Sequence, residues 1–260
     1  MDRLRAADRS EMRINALKRT ITKYAKHVNF KASLNKTIDY INQRRQEVSN
    51  RTLADNIQMI KQFLNEYNVN WTEKINKPNV GRKRPKRIDK KDVNGLIDQL
   101  EDVDIDYKYF YRAKTAVVLS AVSGMRPWEI YRLQWNELNV DERIVELPAE
   151  KTKTKHERIV VFNEEAQNHL TKLMDLFEEQ PFSTKTIYCL TKKMKNKPDV
   201  KLKHCRKYFS QQWDREGLPT SIKEMLLGHF GNVDLRNYDR QSAEDLKQIY
   251  DRAEFKLNHN

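Results

Sequence analysis

The sequence predicts a mainly α-helical protein with a small β-sheet, organised in two domains. Apolar residues recur every three or four positions through much of the 260-residue chain, as on the buried face of a helix. Two short β-branched runs, RIVEL at 143–147 and RIVVF at 158–162, predict a pair of strands around a lysine-rich connection. A cationic stretch without apolar periodicity separates an all-helical first domain from a mixed α/β second domain.

The first domain, residues 1–73, is predicted to be a small helical bundle. Its first helix begins near Glu11 and presents apolar side chains at a three-to-four-residue spacing. Ser33 is predicted to cap a second helix, and Asn50 or Thr52 a third, because short polar side chains accept hydrogen bonds from a first turn. The apolar faces of the three helices then predict one shared core.

Residues 74–89 are predicted to be a basic linker. The stretch contains Pro78, Gly81 and Pro85 and shows no apolar periodicity. Its cations are Arg82, Lys83, Arg84, Lys86 and Arg87. Such a run is either a solvated hinge or a segment that follows a phosphate backbone, and the net charge of the chain favours the second interpretation.

The second domain, residues 90–260, contains the two strands and the remaining helices. Residues 107–123 are the most apolar segment and predict a buried helix that ends at Gly124. Pro127 suits the first turn of the next helix, where its missing N–H has no cost. Further helices are predicted at 90–102, 164–179, 200–216, 221–227 and 243–256.

Composition indicates the kind of partner and the compartment. Fifty Lys plus Arg against 37 Asp plus Glu give a formal net charge of +13, which predicts a polyanionic partner, nucleic acid first. Cys189 and Cys205 are too few for a disulfide framework and fit a reducing compartment. The mean hydropathy of −0.90 and the lack of an apolar N-terminal segment predict a cytoplasmic protein without a membrane span or secretory signal.

Several common catalytic motifs are missing from the sequence. It contains no P-loop, no G-x-G-x-x-G and no G-x-S-x-G. Asp102, Asp104 and Asp106 imitate the start of an EF-hand loop, but Tyr107 and Ala113 stand where that loop needs Gly and Glu. The histidines and cysteines lack zinc spacing. We therefore expect neither a metal site nor a nucleotide cofactor.

What remains is a spread set of cations that ends in a tyrosine. Its members are Arg126 in the block GMRPWEIYRLQW, Lys151, Lys153 and Lys155 between the strands, Lys203 and Arg206 in KLKHCRKYF, His229 in LLGHF, and Tyr238 nine residues later. Each motif is weak alone, but the complete ordered set is specific. Trp128, Trp135 and Trp213 are expected to be core residues rather than base-stacking platforms.

This ordered set resembles the tyrosine recombinases, the phage-type integrases. Their order is arginine, a β-hairpin lysine, His/Lys-x-x-Arg, a His or Trp within L-G-H, and a nucleophilic tyrosine. The resemblance covers roughly residues 85–255, and the helical first domain resembles, less specifically, the core-binding domain of that family. Lys203 stands at the first position of the His/Lys-x-x-Arg motif, and in this respect the sequence resembles integrases of archaeal viruses and plasmids.

The resemblance implies a reaction at a DNA phosphodiester. Tyr238 would attack phosphorus and form a 3′-phosphotyrosine, and because the bond energy is retained, religation needs neither ATP nor metal. Arg126 and Arg206 would hold the non-bridging oxygens, since guanidiniums bind them in a forked geometry and stay charged.

Each of the two proton transfers has more than one candidate residue. Lys203 and His229 are both candidates to receive the proton of the tyrosine or to donate a hydrogen bond to a phosphate oxygen. The hairpin lysine of the family gives a proton to the leaving 5′-oxygen. Lys153 fits that register best, with Lys151 and Lys155 as alternatives.

The implied protein is a site-specific recombinase or integrase that closes around duplex DNA attachment sites. It would act as a tetramer on two duplexes, with an accessory DNA-bending protein as a further expected partner, associated with the nucleoid of a prokaryotic or archaeal host cell. Residues 242–258 would form a tail helix that docks on a neighbouring protomer or on its own domain. Dimer resolution by the same chemistry, topoisomerase-like relaxation and non-catalytic DNA binding remain open alternatives.

Overall fold

The computed structural model describes residues 11–81, 84–195, 198–229 and 241–258, without the side chains of residues 185 and 186. The chain divides into two compact units, Met1–Pro85 and Lys86–Asn260. Among the described residues, no helix combines the length and the apolar character that crossing a membrane requires.

In the described part of the first unit, three helices share a common core. They are α1 (Glu11–His27), α2 (Leu34–Glu47) and α3 (Asn50–Asn65), followed by a short 3-10 helix at Asn70–Lys74. One side chain from each helix illustrates the core: Leu17, Ile41 and Ile57 are all buried in the same cluster. The predicted helical bundle is confirmed, because the apolar spacing of each helix produces one continuous buried face.

The helix starts of the first unit show one correction. Ser33 caps α2, with its hydroxyl accepting from the N–H of Lys36 at 3.4 Å, as predicted. The cap of α3 is Ser49, whose hydroxyl accepts from the N–H of Thr52 at 3.3 Å. The prediction of Asn50 or Thr52 is wrong because Ser49 has the extended backbone of a cap, and the helix begins directly after it.

The two ends of the predicted linker pack into the units on either side. Ile75 is buried in the first core and Ile88 in the second. The N–H of Ile88 also donates to Gln211 Oε1 at 2.8 Å. Arg84, Lys86 and Arg87 are exposed between these anchors, whereas residues 82 and 83 lie outside the described residues. The predicted domain bounds stay predictions.

The second unit is built around one buried helix. The helices among its described residues are α4 (Lys90–Glu101), α5 (Tyr107–Ser123), α6 (Pro127–Tyr131), α7 (Glu164–Leu176), α8 (Thr184–Lys193), α9 (Leu202–Arg215), α10 (Thr220–Leu227) and α11 (Ala243–Tyr250). Every residue of α5 from position 110 to 123 is buried, and the helix packs against α4, α7, α8 and α9. The predicted core helix, its end at Gly124 and the Pro127 start of α6 are confirmed.

A three-stranded antiparallel sheet lies beside these helices. Its strands are β1 (Leu138–Asn139), β2 (Ile144–Leu147) and β3 (Arg158–Val161), in the order β1-β2-β3. Leu147 pairs with Arg158, so the lysine-rich connection leaves β2 and enters β3 at Arg158. The two predicted strands are confirmed, and β1 is an addition that two residues are too few to reveal by alternation.

The chain after α11 differs from the prediction. The helix predicted to continue to residue 256 ends at Tyr250, and Phe255 and Leu257 are buried on the same unit. The Phe255 ring stacks on that of Phe209 with centroids 4.9 Å apart. The described part of the tail therefore packs on its own unit, because two apolar anchors lie beyond the end of the helix. The structure also contains helix α8, which was not predicted from the sequence.

The three tryptophans that were predicted to be core residues differ in burial. Trp213 is fully buried, and half-buried Trp135 donates its indole N–H to the Phe177 carbonyl at 2.8 Å. Trp128 is 54% exposed on α6, so its assignment to the core is wrong. The short helix α6 turns Ile130 inward and leaves Trp128 outside.

Candidate active site

The turn between α5 and α6 positions Arg126. Gly124 ends α5 in the left-handed region, and the chain then enters α6 with Arg126 as its N-terminal cap residue. The backbone N–H of Arg126 donates to Glu129 Oε2 at 2.7 Å, and its Nη1 donates to Glu129 Oε1 at 2.8 Å. A single carboxylate thus holds both the backbone and the side chain of Arg126.

The Glu129 carboxylate also binds a second arginine. It is 1% exposed and accepts two hydrogen bonds from Arg158, at 3.2 Å from Nη1 and 2.9 Å from Nη2. Burial lowers the pKa of Arg158 to about 10, and the charge of Glu129 partly offsets that shift. Arg126, Glu129 and Arg158 therefore form one ionic cluster at the start of β3.

Arg206 is held by the ends of two helices. From α9, its Nη1 donates to the Gly124 carbonyl at 2.7 Å, and its Nη2 donates to the Leu227 carbonyl at 2.7 Å and to His229 Nε2 at 3.0 Å. Burial lowers the pKa of Arg206 to about 9, and repulsion by Arg126 and Arg158 adds to this effect. The three guanidiniums are thus close enough to destabilise one another, and a bound anion would relieve the repulsion.

His229 lies two residues after the end of α10. Its Nδ1 lies 2.6 Å from Glu224 Oε2, and its backbone N–H donates to the Glu224 carbonyl at 2.9 Å. Glu224 and Arg206 hold the ring at its two nitrogens, and the side chain is 47% exposed, so the ring is also accessible to a ligand.

Gly228 connects α10 to His229 where little space is available. Its φ is +66°, and a Cβ at this position would lie 2.7 Å from Arg158 Nη1. Only glycine satisfies both conditions without moving the ionic cluster.

We expect Gly228→Ala to destabilise the protein more than Gly217→Ala. Both glycines have positive φ, but a Cβ at Gly217 meets nothing within 4 Å. Gly217→Ala should cost about 1–2 kcal/mol for the left-handed backbone. Gly228→Ala should add about 1–3 kcal/mol from the contact with Arg158. Urea unfolding measures the free energy of unfolding of both variants. Equal losses of stability would show that the contact with Arg158 does not destabilise Gly228→Ala.

The first residue of the K-x-x-R motif is exposed. Lys203 lies in the first turn of α9, one turn before Arg206. The neighbouring His204 caps the same helix, since its Nδ1 accepts from the N–H of Lys201 at 3.1 Å. Burial, and then the charge of Lys203, lower the pKa of His204. The His204 ring is therefore hydrogen-bonded at the N-terminus of α9, whereas Lys203 is accessible to a ligand.

The hairpin lysines differ in their surroundings. Lys151 Nζ lies 2.5 Å from Glu137 Oε1 and donates to the Arg132 carbonyl at 3.0 Å, so Lys151 is bound within the fold. Lys153 is exposed and has no ion-pair partner among the residues that the structure describes. Lys155 is exposed and has a positive φ of 58°. Of the three candidates, Lys151 is the least available to a substrate.

Within the described part of the chain, the structure brings Arg126, Arg206 and His229 together. No hydrogen bond or ion pair in the described ranges joins this group to Lys153 or Lys203, which are both exposed, and Tyr238 lies outside the described residues. The residues that sequence reasoning missed are Glu129, Arg158 and Glu224. Glu129 had a signal, because a glutamate three residues after a helix start forms a capping box. Arg158 and Glu224 had no such signal.

The helical second unit, its small antiparallel sheet and the grouped guanidiniums define the catalytic-domain fold of a tyrosine recombinase. The sequence model of the Phage integrase family matches residues 86–244, more than half of the chain, and the chain belongs to this family. The family resemblance and the fold class predicted from the sequence are both confirmed. No similar sequence was found among the curated proteins.

Solved structures show the same fold at low sequence identity. A lambda integrase (75-356) dimer bound to a COC′ core site matches with a TM-score of 0.69 and 12% identity, over 93% of this chain and 94% of that one. The Tn1549 transposon integrase in complex with circular intermediate DNA matches with a TM-score of 0.64 and 13% identity, over 96% and 97%. XerH bound to its difH substrate matches with a TM-score of 0.55 and 13% identity, over 84% and 73%. At these identities the likeness shows the fold alone.

Proposed function

We propose that this protein is a site-specific DNA recombinase or integrase that cuts and rejoins DNA through a 3′-phosphotyrosine at Tyr238. The observation that supports this most directly is the pair of guanidiniums of Arg126 and Arg206. Each guanidinium is oriented by hydrogen-bond acceptors of the fold. Burial lowers the pKa of Arg206, and repulsion by Arg126 lowers it further. A phosphodiester carries the negative charge and the oxygens that such a pair binds best.

The proposed reaction uses these cations at the transition state. Tyr238 Oη would bond to phosphorus while the bond from phosphorus to the 5′-oxygen breaks. The added negative charge would be bound by Arg126 and Arg206, and preorganised donors of this kind are each worth about 10²–10³ in rate. Lys153 would give a proton to the leaving oxygen. The reverse reaction with another 5′-hydroxyl would rejoin the strand without ATP or a resident metal.

Duplex DNA is the proposed partner. The three structures of similar fold are described as bound to a core site, a circular intermediate and a difH substrate. Arg84, Lys86 and Arg87 are exposed and would follow the phosphate backbone, which makes the affinity strongly salt-dependent. A tetramer on two duplexes, an accessory DNA-bending protein and the cytoplasm as the place of action belong to the same proposal.

Three buried tyrosines of the second unit are unsuited to the nucleophilic role. Tyr111, Tyr208 and Tyr250 are buried, and burial raises the pKa of Tyr111 and Tyr208 to about 12. The Tyr250 hydroxyl donates to the Val122 carbonyl at 2.7 Å and is used in packing. Tyr188, in contrast, is exposed on α8 and provides a matched control for Tyr238.

A covalent-capture experiment tests the proposed function without knowledge of the target site. The protein is incubated with a pool of nicked duplexes that have randomised cores, and SDS-stable protein–DNA complexes are isolated and sequenced. We expect wild type and Tyr188→Phe to yield one enriched core, and Tyr238→Phe to yield no covalent DNA.

Two results would contradict the proposal. Adducts formed by Tyr238→Phe would show that another residue is the nucleophile. Salt-sensitive DNA binding by wild type without any adduct would favour a non-catalytic DNA-binding protein. With an active core identified, strand exchange between two sites separates a recombinase from a protein that only relaxes supercoils.

A further inference from the structure

We propose that Glu224 is a positioning residue that makes His229 the acceptor for the proton of the nucleophile, an inference that rests on the proposed function. Two contacts to the imidazole carry it. His229 Nδ1 lies 2.6 Å from Glu224 Oε2, and His229 Nε2 lies 3.0 Å from Arg206 Nη2. The ring is therefore held between a carboxylate and the guanidinium assigned to the phosphate.

These contacts determine which ring nitrogen carries the proton. A guanidinium donates hydrogen bonds and cannot accept them, so Nε2 of His229 presents its lone pair to Arg206. The proton then lies on Nδ1 and is donated to Glu224. A carboxylate behind an imidazole selects the same tautomer and stabilises the imidazolium in serine hydrolases. Here it directs the basic nitrogen toward the phosphate-binding guanidinium.

Among the residues that the structure describes, His229 is the hydrogen-bond partner of the Glu224 carboxylate. The adjacent cation, Lys223, is paired with Asp214 at 2.5 Å. Within residues 11–81, 84–195, 198–229 and 241–258, the charged groups that face the ring are Glu224 from α10 and Arg206 from α9, with Arg126 and Arg158 next to Arg206. The backbone bond from His229 to the Glu224 carbonyl at 2.9 Å holds both residues in one turn.

This arrangement also divides the roles of His229 and Lys203. An ammonium group has three donors and no acceptor, so exposed Lys203 is suited to donate to a phosphate oxygen. The lone pair of His229 Nε2 is suited to accept a proton. When a phosphodiester binds, Arg206 Nη2 would donate to a phosphate oxygen instead of to His229.

The proton then has a defined path. As Tyr238 Oη bonds to phosphorus, its proton moves to His229 Nε2, and the imidazolium keeps its hydrogen bond to Glu224. The bond to the 5′-oxygen breaks, and that oxygen takes a proton from Lys153. In religation, His229 returns the proton to the tyrosine and the incoming 5′-hydroxyl returns one to Lys153.

The test compares Glu224→Gln with Glu178→Gln in single-turnover cleavage of the enriched nicked duplex. Glu178 is an exposed carboxylate outside the site, so its variant controls for the lost charge. We expect Glu224→Gln to cleave about 10²-fold more slowly and Glu178→Gln to match wild type. Thermal melting checks that both variants remain folded, and the isosteric glutamine preserves the packing.

The pH–rate profile separates proton transfer from mere support of the fold. Cleavage requires a neutral imidazole and should fall at acid pH. Because Glu224 contacts the proposed proton acceptor, Glu224→Gln should change the shape of the pH–rate profile, whereas lost support of the fold lowers the rate equally at every pH. A rate loss of the same size at every pH, or no loss at all, would overturn the proposal while leaving the phosphotyrosine reaction intact.

A modified substrate provides an independent criterion. With sulfur in place of the bridging 5′-oxygen, the leaving group is a thiolate that needs no proton, because thiols are far more acidic than alcohols. This substrate should rescue Lys153→Ala but not Glu224→Gln, whose defect lies at the nucleophile. Rescue of Glu224→Gln would place Glu224 on the leaving-group side and overturn the proposal. If wild type forms no adduct with either substrate, the proposed function itself fails.

Discussion

Arg206→Ala is expected to slow DNA cleavage by about 10³-fold, the largest loss for any residue of the site other than the nucleophile. The guanidinium of Arg206 joins the Gly124 and Leu227 carbonyls to His229. Its removal takes away a preorganised donor to the phosphate and the partner that orients the imidazole. Single-turnover formation of the covalent adduct measures the loss.

Arg206→Lys should be nearly as inactive. A lysine provides one compact charge, whereas the planar guanidinium donates to two carbonyls and can still reach an anion. Arg215→Ala on the same helix is the matched control. Arg215 lies away from the site and forms an ion pair with Asp89, with a nitrogen–oxygen distance of 3.0 Å. Near-normal cleavage by Arg206→Lys would mean that charge alone suffices.

Glu129→Ala is expected to destabilise the second unit by about 3–5 kcal/mol, because it leaves buried guanidiniums without their counter-charge. The Glu129 carboxylate accepts from the backbone and side chain of Arg126 and from both terminal nitrogens of Arg158. Its side chain is 1% exposed and that of Arg158 is 2% exposed, so water cannot replace the lost partner. Urea unfolding measures the change in the free energy of unfolding.

A double-mutant cycle tests the cause of that instability. Arg158→Met in the Glu129→Leu background removes both members of the buried pair and should recover much of the stability lost by Glu129→Leu alone. Adduct formation should remain low in the double variant, because Arg126 has still lost the carboxylate that orients it. Additive losses of stability would show that Glu129 acts through packing and not through its charge.

Much of the fold was predictable because it depends on local spacing. Helix α1 shows its buried face directly in the sequence, and α5 is the most apolar segment of the chain. The missed elements lack such a pattern. Strand β1 has two residues, and Ser49 differs from Asn50 as a cap only in its backbone conformation. The burial of Phe255 depends on the ring of Phe209, which lies far away in the chain.

Part of the site was predictable for the same reason. Lys203 and Arg206 are one helical turn apart, and the position of Arg126 follows from the glycine and proline that flank it. Which hairpin lysine is available was not predictable. Lys151 is excluded by its ion pair with Glu137, and that pairing requires the folded chain.

The helical class, the strand pair, the cationic surplus and the order of the candidate residues follow from spacing and composition, which can be read without coordinates. The role of Glu129 in joining Arg126 to Arg158, and that of Arg206 in spanning the ends of two helices, became visible only in the folded chain. The partner of a buried charge depends on which elements meet in space, and distance along the chain does not encode that choice.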